Sequence, residues 1–436
     1  MTSIIPSNRT TRIGIHYFTD DHHYREQDAE QWIPQLHDLG LSWLVLTTTT
    51  ERAIPEYFIN ALVEANIKPI LHFKNISLSP TLTNELSPLL EPYAKWGVQH
   101  IILFDRPNCR NFWQPQAWMQ SDLVERFLDG FIPLAELALK SGITPVFPPL
   151  EPAGDYWDTA FLREALQGIL RRETSLLCEN LTLSAYVVPG ANPLAWGIGG
   201  PQNWPGAKPY YTPPDQQDQC GFYIFSWYQS LGQAIFDKTL PMILLESNTG
   251  SCNPMFGNAA EIRNEHDSQC LAIARLLTET YESSESSLPE ANPIWEPIPE
   301  EVLCFNYYLL SAASESDESA QAWFQPDGNT LPMVDMFKQW RKKIPAQSTM
   351  KSIPQSRPVG TAISHYVLIP DCHEELLAYY MDTLRGYFLK HKPALGFSVD
   401  EALLADKITV IGDIQQYPAG TLEKLLSSGC QVEHLF

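Results

Sequence analysis

The chain has 436 residues and a mass of 49.4 kDa, room for about three ordinary domains or for one large barrel with an appendage. Hydrophobic residues make up 44% and charged residues 18%, which excludes a disordered chain. Lys and Arg number 29 against 51 Asp and Glu; the net charge of −22 excludes the basic face that nucleic acid or an anionic membrane requires.

The first eleven residues are polar and lack an apolar signal core, and no run of about 18 apolar residues predicts a membrane span. The eight cysteines are scattered without a C-x-x-C pair. They read as reduced thiols in a cytoplasmic protein, with export by a signal-independent route left open. No P-loop, dinucleotide fingerprint or G-x-S-x-G elbow occurs. Asp20-Asp21-His22-His23 reads as a solvated loop, so neither a metal nor a cofactor is expected.

Eight short apolar, β-rich runs follow in order: Arg12–Phe18, Trp43–Thr47, Lys68–Phe73, Gln99–Asp105, Ile143–Phe147, Thr182–Val187, Pro241–Glu246 and Val302–Tyr308. Amphipathic stretches separate them, among them Ala29–Leu39, Glu56–Ala65, Ser121–Ser141, Thr159–Arg171 and Gly221–Asp237. Regular strand–helix alternation predicts parallel strands with crossover helices, and eight units predict an α/β fold of the (β/α)8 TIM-barrel type over 1–345. Long loops follow strand six, Val188–Gln219, and strand seven, Ser247–Ala259, at the end of the barrel where sites are built.

Pro345, Pro354 and Pro358, set among Ser, Gln and Lys, mark a linker over 346–358. A small α/β domain is predicted over 359–436. It has strands at His365–Pro370, Lys407–Gly412 and Cys430–Leu435, helices at Glu374–Lys390 and Gly420–Ser428, and a helix capped by Ser398. It carries no catalytic motif and is available to a protein partner.

The chemistry-bearing runs close strands four and seven. Strand four ends Phe104-Asp105-Arg106-Pro107-Asn108, with Phe112-Trp113 soon after; strand seven ends Leu244-Leu245-Glu246-Ser247-Asn248. This resembles the retaining glycoside hydrolases of the large (β/α)8 clan that includes cellulases, xylanases and β-glucosidases. That clan reads Asn-Glu-Pro-Asn at the end of strand four, where the Glu is the acid/base, and carries its nucleophile Glu at the end of strand seven. The resemblance implies Glu246 at the nucleophile position. It implies carbohydrate contacts from His16, His72, Asn108, Glu151, Tyr186, Trp196, Asn248, Asn306 and Tyr307. The departure is at strand four: Asp105 stands for the Asn, and Arg106 replaces the acid/base Glu. Arginine cannot exchange protons near neutral pH, whereas a retaining mechanism needs two carboxyls about 5–5.5 Å apart. Three readings follow. One is a catalytically impaired barrel that binds oligo- or polysaccharide at its mouth. The second is an active retaining glycosidase with an unusual acid, for which Glu151 is a candidate. The third is a scaffold for interactions. Arg106 and Glu246 are expected to face each other as an ion pair, with Asp105 steadying the guanidinium.

Overall fold

The computed structural model describes residues 11–172, 174–247, 259–278 and 298–343, then 363–370 and most of 376–435. Asn248 and the expected linker 346–358 lie outside the described residues. The chain divides into two compact units, Met1–Pro345 and Ala346–Phe436.

The first unit is an eight-stranded parallel barrel. Its strands are β1 (Ile13–His16), β2 (Trp43–Thr47), β3 (Lys68–Phe73), β4 (His100–Leu103), β5 (Thr144–Val146), β6 (Leu183–Val187), β7 (Met242–Glu246) and β8 (Val302–Tyr307). They pair in the order β5-β4-β3-β2-β1-β8-β7-β6, and a parallel bridge between Val146 and Thr182 joins the two ends of that row. Helices lie between successive strands, among them Glu26–Leu39, Leu123–Lys140 and Ala259–Thr278. Predicted strands two and three match residue for residue; the other six run one to three residues beyond the observed hydrogen-bonded strands.

Strand period two divides the core into two layers. Val45, Ile70, Ile102, Val146, Ile243 and Leu245 fill the barrel interior. Met242, Leu244, Phe305 and Tyr307 belong to the large outer cluster between strands and helices. One close approach fixes the interior: a Cβ on Gly14 would meet Asn306 Oδ1 at 2.1 Å, so only glycine fits there.

The second unit is a four-stranded parallel sheet built from β9 (Ile363–Leu368), β10 (Ala394–Gly396), β11 (Ala405–Ile411) and β12 (Gln431–Leu435). The strands pair in the order β10-β9-β11-β12. Tyr366, Leu368, Ile408 and Val410 form one core and Val367, Ile369, Tyr380 and Ile411 another, as expected of a sheet covered on both faces. Ser398 caps the short helix Val399–Ala402, its hydroxyl accepting from Glu401 N at 3.3 Å. Among the described residues, no helix is long and apolar enough to cross a membrane.

Candidate active site

The end of β4 departs from strand geometry. Phe104 has φ 71° and Arg106 φ 47°, left-handed conformations that non-glycine residues adopt at a cost of about 1–3 kcal/mol. The backbone is held there by Arg106 N donating to Pro149 O at 3.0 Å and by Phe104 N donating to Phe73 O at 3.2 Å. Strand alternation would send Asp105 and Arg106 to opposite faces, but these two bends bring both side chains to one network.

Arg106 is the hub of that network. Its Nη1 donates to Asp105 at 2.8 Å, its Nε to Glu151 at 2.6 Å and its Nη2 to Ser247 Oγ at 3.0 Å. Its guanidinium carbon lies 3.9 Å from the centre of the Tyr186 ring, a cation–π contact. Tyr186 in turn donates from its hydroxyl to the second Asp105 oxygen at 2.7 Å. Burial opposes the charge on Arg106, but Tyr186, Asp105 and Glu151 outweigh it and hold the group above its ordinary value. Burial likewise pushes the Asp105 carboxyl up; Arg106 and the Tyr186 hydroxyl more than offset this and leave it below the usual carboxylate range. Near neutral pH, Asp105 is therefore an anion and no proton donor. Glu151 does reach in from the loop after β5, and its Oε2 is spent on Arg106.

Glu246, at the end of β7, follows the parity of Leu244, which packs toward the helices. Its carboxylate bounds the floor of the mouth, but both oxygens are engaged. Oε1 lies 2.6 Å from His266 Nε2 on the helix Ala259–Thr278, and Oε2 accepts from Tyr308 N at 3.0 Å. The expected Arg106–Glu246 pair gives way to a different arrangement: Arg106 pairs with Asp105 and Glu151, and Glu246 with His266. Burial works against the charge on His266; Glu246 overrides it and keeps the ring protonated well above its ordinary range. Cys270, one helical turn on, places its sulfur 3.7 Å from His266 Nε2.

The remaining expected residues fall into two groups. His16, His72 and Tyr186 line the floor beside Glu246, together with Lys74 and Tyr308. Burial drives both histidines down, His72 to about 4, so the floor is neutral at those positions at pH 7. His72 donates from Nε2 to Phe104 O at 3.0 Å and so supports the bent end of β4. The other residues are committed within the protein. Asn108, fully buried, donates to Glu151 O and Tyr156 O and accepts from Glu151 N, each at 2.9 Å, which clamps the β4 and β5 loops together. Asn306 points into the barrel and donates to Leu244 O and Cys304 Sγ. Tyr307 faces the helix layer and gives its hydroxyl to Cys270 O at 2.8 Å. Trp196 braces the long β6 loop through Asp218 at 3.0 Å. Tyr308, one residue past the end of β8, lines the floor, and its ring stands edge-on to His16 at 5.5 Å. Lys74, Ser247, His266, Cys270 and Tyr308 were not legible as site residues. Their only signal is adjacency to strand ends or, for His266 and Cys270, i,i+4 spacing on one helix face.

The floor encloses about 10 Å³, about what one water needs. A larger cavity of about 510 Å³ opens at the other, N-terminal end of the barrel among Trp43, Lys68 and His100. That end of the fold ordinarily serves stability. Arg12, on its rim, is committed to the carbonyls of Ile298, Pro299 and Val302.

No family's sequence model matches the chain, and no curated protein matches it. Solved structures do match, glycoside hydrolases with (β/α)8 barrels among them. A family 39 glycoside hydrolase from Bacteroides cellulosilyticus WH2 aligns at 12% identity and TM-score 0.47, over 77% of this chain and 64% of that one, so the chain spans less than two thirds of it. A monomeric β-xylosidase from Caulobacter crescentus CB15 aligns at 12% identity and TM-score 0.46, over 77% and 69% of the two chains. A family 128 endo-β-1,3-glucanase from Amycolatopsis mediterranei aligns at 12% identity and TM-score 0.40, over 76% and 99%.

Proposed function

We propose that this protein is a glycosidase-like barrel that no longer hydrolyses glycosides and that binds carbohydrate along the rim of its mouth. The observation that carries this reading is Arg106, fixed by Asp105, Glu151, Ser247 and Tyr186 where a proton donor would have to stand. Sugar alkoxides leave poorly without protonation, and a general acid is worth about 10²–10⁴ in rate. The binding half of the proposal is supported by the β6 loop. There Tyr210 and Tyr211 are 61% and 64% exposed, and the Tyr210 hydroxyl is anchored by Trp157 N at 3.0 Å. Exposed aromatic faces with polar tips suit sugar rings and their hydroxyls. A glycan array followed by calorimetry tests it: an oligosaccharide should bind without being cleaved, and Tyr210→Ala with Tyr211→Ala should abolish the binding.

A second reading, a scaffold for interactions, is favoured by the floor of about 10 Å³. That is far below the ~300 Å³ at which small-molecule pockets begin. Absence of binding to any glycan by wild type would select it.

A further inference from the structure

We infer that Glu246, His266 and Cys270 form a three-ligand site for zinc or a similar thiophilic divalent metal. One carboxylate oxygen, one ring nitrogen and one sulfur lie within 4.8 Å of one another, the one such group among the described residues. Metal–ligand bonds of about 2.0–2.3 Å at tetrahedral angles put neighbouring donor atoms about 3.3–3.7 Å apart. The His266 Nε2–Cys270 Sγ separation of 3.7 Å meets that span, and the Glu246 Oε1–His266 Nε2 separation of 2.6 Å opens slightly when a metal replaces the shared proton.

The surroundings match what metal-ligating groups require. His266 and Cys270 are four residues apart on one helix, which stacks their side chains on one face. The other ring nitrogen of His266 lies 3.1 Å from Asp267, the carboxylate partner that orients a metal-bound imidazole. The second Glu246 oxygen is held by Tyr308 N, and the Cys270 carbonyl by the Tyr307 hydroxyl. Thiolate, imidazole and carboxylate together select zinc-like ions over magnesium or calcium. On binding, the metal takes the place of the proton on His266 Nε2 and of the Cys270 thiol proton, and both protons pass to solvent. One tetrahedral position remains for water. The inference goes beyond the proposed function and does not rest on it, because carbohydrate binding at the Tyr210 rim and metal binding behind β7 are measured separately.

The test uses the full chain, stripped with a chelator and titrated with cobalt(II) and then zinc. One cobalt per chain should bind with a thiolate-to-cobalt charge-transfer band, zinc should displace it, and zinc should raise the melting temperature. Cys270→Ser should abolish the band while Cys109→Ser retains it, and Asp267→Asn should weaken zinc binding by about 10–100-fold. If Cys270→Ser does not fold, His266→Gln carries the same expectation, since that side chain is 30% exposed. No charge-transfer band in the wild type, or a band that survives Cys270→Ser or His266→Gln, would overturn the inference.

Discussion

At the residue scale the deciding group is Arg106. Its side chain is 15% exposed, and its carboxylate partners Asp105 and Glu151 are 11% and 6% exposed. Removing the cation leaves two buried carboxylates without it, a loss that in buried pairs costs about 3–5 kcal/mol. Arg106→Ala should therefore lower stability to urea by that amount; a loss under ~1 kcal/mol would mean that solvent already screens the network. The same contacts refine the repair of the site. Arg106→Glu alone would set a third carboxylate beside Asp105 and Glu151, and like charges so placed raise one another's pKa and repel. Combined with Asp105→Asn and Glu151→Gln, the substitution leaves a single new acid at position 106 without those two carboxylates beside it. The triple variant should cleave an unactivated glycoside, whose leaving group needs a proton, faster than Arg106→Glu alone. Equal rates would show that the neighbouring carboxylates do not limit the acid.

At the element scale, strand period two decided what could be read in advance. His16, His72 and Tyr186 sit near the ends of regular strands, on the parity that lines the floor. Asp105 could not be placed this way, because Phe104 and Arg106 leave the strand region and cancel the alternation just where the site begins. Glu246 was legible as a strand end, but its partner His266 stands 20 residues on, across a strand–helix contact that no local pattern encodes. Tyr307 packs in the helix layer, and its neighbour Tyr308 lines the floor. β10 is not legible in the sequence, because three residues carry no period.

The β5 loop supplies a pH test at this scale. Asp158 begins the helix Asp158–Arg171 fully buried and accepts from Ala153 N, Gln219 and the Tyr228 hydroxyl. Burial outweighs those donors and raises its pKa from 3.8 to about 6. The folded state thus holds this proton more tightly than the unfolded chain. The contribution is complete below pH ~4 and is lost as pH rises through about 6, by roughly 3 kcal/mol at most for a two-unit shift. Denaturant melts from pH 4 to 7 should show Asp158→Asn flattening that decline; an unchanged slope would place the titration elsewhere.

At the scale of the whole molecule, the barrel layers and the two cores of the C-terminal sheet are separate clusters, and each unit has its own hydrogen-bonded sheet. A chain of residues 1–345 should therefore fold alone and melt cooperatively, as calorimetry would register; a non-cooperative melt would show that the barrel depends on the second unit. The eight-fold alternation made the barrel legible from sequence because every unit repeats the same signal. The state of its mouth was not legible, because it depends on side chains from β4, the β5 loop, β6 and β7 meeting across the ring. The most direct test of what that meeting does is the turnover of unactivated oligosaccharides by the wild-type protein, followed by product chromatography across a panel of linkages. On the proposed function, in which Arg106 replaces the acid, no cleavage above background is expected. Turnover of any member at ordinary enzymatic rates, ~1–10³ s⁻¹, would contradict it and make Glu151 the acid to substitute next.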